Sequence, residues 1–254
     1  MDKEELTEEY ERSRSYDVHA GMAMYGPDGT ITPSGLQKLV VDMIESHLEG
    51  IEMGEQALID RLGMSWVLLS THIELNRSIS TGEHLIGHTW NSGINPPIFR
   101  RDFVFLDATG ERAALGATYS TLLSVSDRRF CTDRAIIGSF KLPAGEKIAA
   151  APRRAPRLDG FEAVEVRRAR PSMTDAMGHV NNTRYGEFVY DAMTADERAR
   201  MRSLRALDVW FAAEMREGDE FRVEKAMTPD GLAVRGVLLP GGAQSFLMKL
   251  TFSD

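Results

Sequence analysis

The chain has a single cysteine, Cys131, in 254 residues. That excludes an internal disulfide and a cysteine-based metal cluster, and it suits a reducing, cytoplasmic setting. No apolar run approaches the roughly 20 residues of a membrane-spanning helix. The charged opening "MDKEELTEEYERSRS" lacks the apolar segment of a secretory signal. The G-x-S-x-G elbow, the phosphate-binding P-loop and the H-E-x-x-H zinc motif are also missing. Positive charge is in short supply: 30 Lys and Arg stand against 38 Asp and Glu, a net charge of −8. This balance argues against a general nucleic-acid or anionic-membrane binder. The shortage is uneven, because residues 128–170 hold eleven basic and five acidic side chains.

What is present is a diverged repeat. In "YGPDGTITPSGLQKLVVDMI", a turn precedes a helical stripe of Leu36, Leu39, Val40, Met43 and Ile44. Tyr185, Phe188, Val189 and Ala192 repeat that spacing. Each helix is followed by strand patterns with glycine-marked turns, at Gly82 and Gly110 in the first half and at Gly218, Gly241 and Gly242 in the second. Each half therefore reads as a strand, a long helix and four strands. The burial solution for such a unit is an antiparallel sheet wrapped around its helix, an α+β layer. Two such sheets joined edge to edge would form a pseudo-dimer and hide two strand edges. The expected boundaries are residues 1–140, a Pro-rich linker over 141–160, and residues 161–254.

The halves differ in their polar residues. With Asp28 set on Asp175, an offset of 147 (175 − 28), Thr32 falls on His179. Ser78, four residues before Gly82, matches Glu214, four before Gly218. Only the second half thus carries Asp175, His179 and Glu214. Asn181 or Asn182 is the expected cap of the second helix, whose first-turn amides could then polarise a carbonyl. Asp175 and Glu214 are candidates to activate water, and His179 to orient it or the carbonyl. Such a set suits hydrolysis of an activated acyl group. Each residue also has a plainer reading, Asp175 as a turn former, His179 as a structural histidine and Glu214 as a solvated strand residue.

The stretch "DAMGHVNNTRY" resembles the D-x-N-x-H-V-N-N-x-x-Y signature of acyl-acyl-carrier-protein thioesterases, which have two tandem hotdog domains. "GMSWVLLSTHIELNRSISTGE" and "FRRDFVFLDATGE" look like landmarks of that family's first half. The resemblance implies catalysis by Asp175, His179 and Glu214, with Asn181, Asn182 and Met177 beside the substrate. Met177 stands where the family pattern has asparagine, and Met215 where plant members have cysteine. The shorter pattern D-x-x-G-H-V-N-N resembles single-hotdog acyl-CoA thioesterases.

The implied activity is hydrolysis of a fatty acyl chain carried on the phosphopantetheine of acyl carrier protein. It requires no metal or other cofactor, and no nucleic acid or membrane partner is expected. Homodimerisation is compatible with this reading. The basic segment then becomes a docking surface for an acidic carrier, with Arg128, Arg129, Arg153, Arg154 and Arg157 as its members. Met22, Met24 and Met43 are expected to line an apolar slot for the acyl tail. The alternatives are an acyl-CoA thioesterase, a hotdog dehydratase and a non-catalytic acyl-binding protein.

Overall fold

The long helix of the first half, α1 (Pro33–Gly50), is specified locally. The Thr32 hydroxyl accepts a hydrogen bond from the Gly35 N–H, and Pro33 sits where the helix needs no amide donor. Leu36, Leu39, Val40 and Met43 form its buried stripe. In the computed structural model, which describes residues 14–253, β1 (Tyr16–His19) precedes this helix. After it come α2 (Glu55–Leu62), β2 (Met64–Leu75), β3 (His84–Asn95), β4 (Ile98–Leu106), β5 (Arg112–Ser124) and a short α3 (Arg134–Gly138). The charged opening of the chain lies, up to residue 13, outside the described residues.

The second half repeats the plan with β6 (Glu162–Arg168), α4 (Arg184–Ala192), α5 (Ala195–Ala199), β7 (Leu204–Phe211), β8 (Glu220–Thr228), β9 (Gly231–Leu239) and β10 (Gln244–Phe252). The turn glycines Gly82, Gly110, Gly218, Gly241 and Gly242 all have positive φ. All strands join in one ten-stranded antiparallel sheet, ordered β1-β3-β4-β5-β2-β7-β10-β9-β8-β6. Each half is a hotdog, a sheet wrapped around one long helix, and the halves meet where β2 pairs with β7 from Ser70↔Trp210 to Glu74↔Ala206. At this seam the His72 imidazole lies between Asp208 (2.6 Å) and Glu74 (2.8 Å). Burial alone would lower the His72 pKa, but its bonds to the two carboxylates raise it overall. No helix among the described residues is long and apolar enough to cross a membrane.

One core runs through both halves. Phe103, Phe105, Leu36 and Leu39 belong to the same buried cluster as Phe188, Val189, Phe221 and Phe246. Each such side chain contributes on the order of 1.5–3 kcal/mol by leaving water. The two long helices touch inside it. A Cβ at Gly186 of α4 would collide with the backbone at Ser34, so only glycine allows this approach. Beside it, Gln37 Nε2 donates to the Asn182 carbonyl at 3.1 Å.

The segment expected as a linker is a strap lying against the outer face of the sheet. Alternation along β4 sends Phe103 and Phe105 into the core and Asp102 and Val104 to the opposite face. There Asp102, fully buried, accepts hydrogen bonds from the Ile148 and Ala149 amides (2.9 and 3.2 Å), from Ser92 and from Arg100. Trp90 Nε1 donates to the Glu146 carbonyl and Trp210 Nε1 to the Pro152 carbonyl. The Arg235 guanidinium stacks on Phe161, 4.0 Å from the ring centre. The strap therefore crosses from the first half to the second with several of its backbone groups bonded to side chains of the sheet.

Burial would raise the Asp102 pKa, but the Arg100, Ser92 and Ile148 bonds lower it overall. Its stabilising contribution is complete above the unfolded carboxyl value of about 3.9 and is lost as pH falls through the lower folded value. Asp102→Ala should destabilise the protein by about 3–5 kcal/mol, because Arg100 loses its buried partner. Chemical denaturation measures this. A change below about 0.5 kcal/mol would remove the anchoring role.

Candidate active site

The opening of the second repeat folds into a tight loop. A bridge between Thr174 and Val180 closes it, and Gly178 turns it at φ 75°. The Asp175 amide donates to the His179 carbonyl at 2.9 Å. In return, Asp175 Oδ1 accepts from the Met177 amide (2.9 Å) and the His179 amide (3.3 Å). Asp175 thus holds the loop that holds it. The loop is stitched to the segment after β7, where His179 bridges Arg216 and the Val180 amide donates to the Met215 carbonyl at 2.7 Å. This brings His179 Nε2 to 3.3 Å from Glu214 Oε2 and 3.0 Å from Arg216 Nη2. Arg128, from the first half, donates to both Glu214 oxygens.

The amides fall one step from their expected places. Asn181 Oδ1 accepts from the Thr183 N–H (3.0 Å) and hydroxyl (2.7 Å), and α4 proper begins at Arg184. Asn181 therefore organises the turn into the helix, with Thr183 at the cap position, and Asn182 is not the cap. Below them Tyr185 is buried, and Ser245 donates to its hydroxyl at 3.5 Å. Burial, then the charges of Asp175 and Glu214, push the Tyr185 pKa up. Its phenol is neutral at ordinary pH. Tyr185 is legible as the last residue of the signature-like stretch and as part of the helix stripe, but nothing in the sequence pattern singles out Arg216, which only its neighbours in space reveal. Among the described residues, no cluster of His, Cys, Asp and Glu is placed to hold a metal ion.

These groups sit at one end of a cavity of about 770 Å³. Asp175, Met177, His179, Asn181, Asn182, Tyr185 and Glu214 all border it. Much of its apolar lining comes from the first half, Val40, Val41, Ile44 and Leu48 of α1 with Val67, Leu68 and Leu69 of β2, and the second half adds Val180, Phe211 and Met215. A register shift between Leu68 and Ser70 leaves Leu69 without a partner on β5, a bulge that helps to turn two successive leucines to the cavity.

The three methionines expected in the slot do not line it. Met22 is 81% exposed, Met43 is packed in the core over Gly87, and Met24 is half-buried beneath the first loop. The sheet covers the Met43 side of α1, so the slot forms along the flank carrying Val40, Ile44 and Leu48. Of the expected docking arginines, Arg128 borders the cavity and is bonded to Glu214, while Arg129 is exposed on the same turn. Arg153, Arg154 and Arg157 are exposed on the strap, outside the cavity lining.

The repeat register also changes. The bridge Tyr25–Ile31 matches Thr174–Val180, an offset of 149 (174 − 25), two more than the sequence reading. Gly26 is then the counterpart of Asp175, Thr30 of His179 and Asp28 of Met177. Thr32, expected opposite His179, instead caps α1. Ser78 stays opposite Glu214, since Ser80 donates to Glu83 just as Arg216 donates to Asp219 beside the matching turn. The new register sets Val41, in the slot wall, against Tyr190. A Cβ at Gly26 would collide with the Tyr190 hydroxyl. The counterpart site is therefore filled by an aromatic ring as well as stripped of its acid.

A double hotdog with one polar centre at the head of an apolar slot belongs with enzymes that act on acyl thioesters. Residues 9–132 match the acyl-ACP thioesterase N-terminal domain and residues 161–252 the acyl-ACP thioesterase C-terminal domain, ACP being acyl carrier protein. The chain belongs to the acyl-ACP thioesterase family and is a thioesterase. Among solved structures it is similar to an acyl-ACP thioesterase from Bacteroides thetaiotaomicron, with 19% identity, all of both chains covered and a TM-score of 0.83. It is similar also to the 12:0-ACP thioesterase from Umbellularia californica, with 17% identity, 94% of this chain and 96% of that one covered, and a TM-score of 0.75. No curated protein sequence is matched.

Asp175→Asn and Glu214→Gln should each lower kcat by about a hundredfold or more, the usual size for acid–base groups, with the melting temperature retained. Asp28→Asn should leave kcat near that of the parent. Full turnover in both acid variants would remove Asp175 and Glu214 from the chemistry.

Proposed function

We propose that the protein hydrolyses fatty acyl thioesters of acyl carrier protein, with the tail in the first-half slot and the reacting carbonyl at the second-half loop. One observation carries this: Asp175, His179 and Glu214 open into the same cavity as Val40, Ile44 and Leu69, which come from the other half. In this reading the N-terminal end of α4 and the Asn182 side chain, both bordering the cavity, polarise the thioester carbonyl. Water attacks that carbonyl while its proton passes to the carboxylate–imidazole set. The tetrahedral intermediate then expels the pantetheine sulfur, which leaves as a thiol once it has taken up a proton. The products are a free fatty acid and the carrier thiol.

Carrier docking falls to Arg129, Arg153, Arg154 and Arg157, since Arg128 is engaged by Glu214. The Trp210 bond to Pro152 holds the strap, just before Arg153 and Arg154, beside the end of β7, where Phe211 borders the cavity. An acidic carrier would meet these exposed charges on the outer face of the sheet, beside the seam.

Thiol release from matched acyl-carrier-protein, acyl-CoA and acyl-pantetheine substrates tests the assignment. Carrier-protein substrate should give the highest kcat/KM. Its KM should rise with salt, because exposed charges are screened within about 10 Å at 0.1 M, and the pantetheine substrate should respond much less. Preference for acyl-CoA, or equal salt responses, would overturn the carrier assignment.

The slot generates a second expectation. Each methylene in an apolar site is worth about 0.8 kcal/mol, so chain-length preference should be graded. Val41→Phe and Ile44→Phe should shift released products to shorter chains while short substrates are still hydrolysed. Val189→Phe, in the fully packed core, should lower stability and leave the length profile alone. A product profile that responds to Val189 and ignores Val41 and Ile44 would place the tail elsewhere.

A further inference from the structure

Glu214 lies on the segment between β7 and the Gly218 turn, with its side chain 42% exposed. A carboxylate so exposed keeps a fixed direction only if something holds it. Arg216, on the same segment, has its Nη2 3.6 Å from Oε2, but the hydrogen bonds to both carboxylate oxygens come from the other half of the chain. The turn after β5 is closed by the Ser124 amide on the Arg129 carbonyl (2.9 Å) and the Arg128 amide on the Ser124 carbonyl (3.1 Å). Within it Arg128 has φ 55°, a left-handed conformation that costs a non-glycine residue on the order of 1 kcal/mol. That conformation sends the guanidinium across the cavity mouth to both Glu214 oxygens.

What Glu214 faces explains why its direction matters. His179 Nε2 has Arg216 Nη2 at 3.0 Å and Glu214 Oε2 at 3.3 Å. A guanidinium can only donate and a carboxylate only accepts. Nε2 without a proton accepts from Arg216; a protonated imidazole would form an ion pair with Glu214. The charge that a proton brings to the imidazole is therefore matched only while Glu214 stays beside it.

We propose that Arg128 is a positioning residue for catalysis, acting across the two halves through Glu214 to hold the carboxylate at His179 Nε2. This deepens the proposed function and rests on its placement of His179 and Glu214 in the chemistry. It also gives Arg128 a task different from carrier docking.

A double-mutant cycle tests this, with short-chain acyl-pantetheine as substrate so that carrier binding plays no part. Arg128→Gln should lower kcat about tenfold or more, with KM changed less than about twofold, the split expected when a reaction-step interaction is lost. In a Glu214→Gln background, the same change should have little further effect. Arg128→Lys should recover part of kcat, because it restores the charge but not the paired donors. Imidazole nitrogen NMR of His179 gives a readout independent of turnover: Arg128→Gln and Glu214→Gln should displace its signals similarly.

The proposal is overturned if Arg128→Gln costs the same factor with and without Glu214, if it raises only the KM for carrier-bound substrate, or if the His179 signals do not move. Absence of hydrolysis by the parent protein would instead defeat the functional reading, and the NMR comparison would still decide the positioning role. If Arg128→Gln fails to fold, Arg128→Lys with the same two readouts replaces it.

Discussion

The pairing of β2 with β7 is the constraint on which the rest depends. It joins two sheets into one, and in doing so sets the α1 flank of the first half beside the Asp175–His179 loop of the second. Neither half contains a complete site. The first supplies an apolar wall with no acid at its head, and the second supplies the acids with no slot of its own. The seam is reinforced on the outer face by His72 between Asp208 and Glu74, and by the strap that Asp102 and Trp210 hold in place. The polar site thus stands on a junction fixed by backbone pairing, a shared core and a buried carboxylate.

Duplication usually produces two equivalent sites, and here packing has removed one. Tyr190 stands where Val41 leaves space at the cavity, and its hydroxyl occupies the room that a side chain at Gly26 would need. Restoring an aspartate at Gly26 alone would meet a steric block before any question of chemistry arose. Asp28 survives in the inactive loop, but its carboxylate is taken up by the Thr30 amide and hydroxyl. The two loops thus differ in the volume around them as much as in the missing acid.

Charge follows the same division. The arginines expected to act together separate into two groups with different surroundings. Arg128 reaches inward to Glu214, whereas Arg153, Arg154 and Arg157 remain exposed on the strap. A count of basic residues cannot tell these groups apart, because the count carries no direction.

The sequence by itself determined the repeated order of elements, the glycine turns, the helix stripes and the membership of Asp175, His179 and Glu214 in one polar set. These are legible because helical and strand periodicity, positive-φ turns and capping chemistry are local, set by residues a few positions apart. The lining of the slot, the plugging of its counterpart, the docking of the strap and the partner of Arg128 were decided by the tertiary structure. Met43 and Ile44 are neighbours in sequence and equally apolar. Which of them borders the cavity depends on which flank of α1 the sheet covers, and a bulge at Leu69 shapes the facing wall. The offset of the repeat was misjudged for a related reason: aligning two aspartates in sequence matched Asp28 to Asp175, whereas backbone bridging matches it to Met177. Contacts between residues far apart in sequence, 46 positions for Asp102 with Ile148 and 86 for Arg128 with Glu214, have no period to read, so only the packed chain could place them.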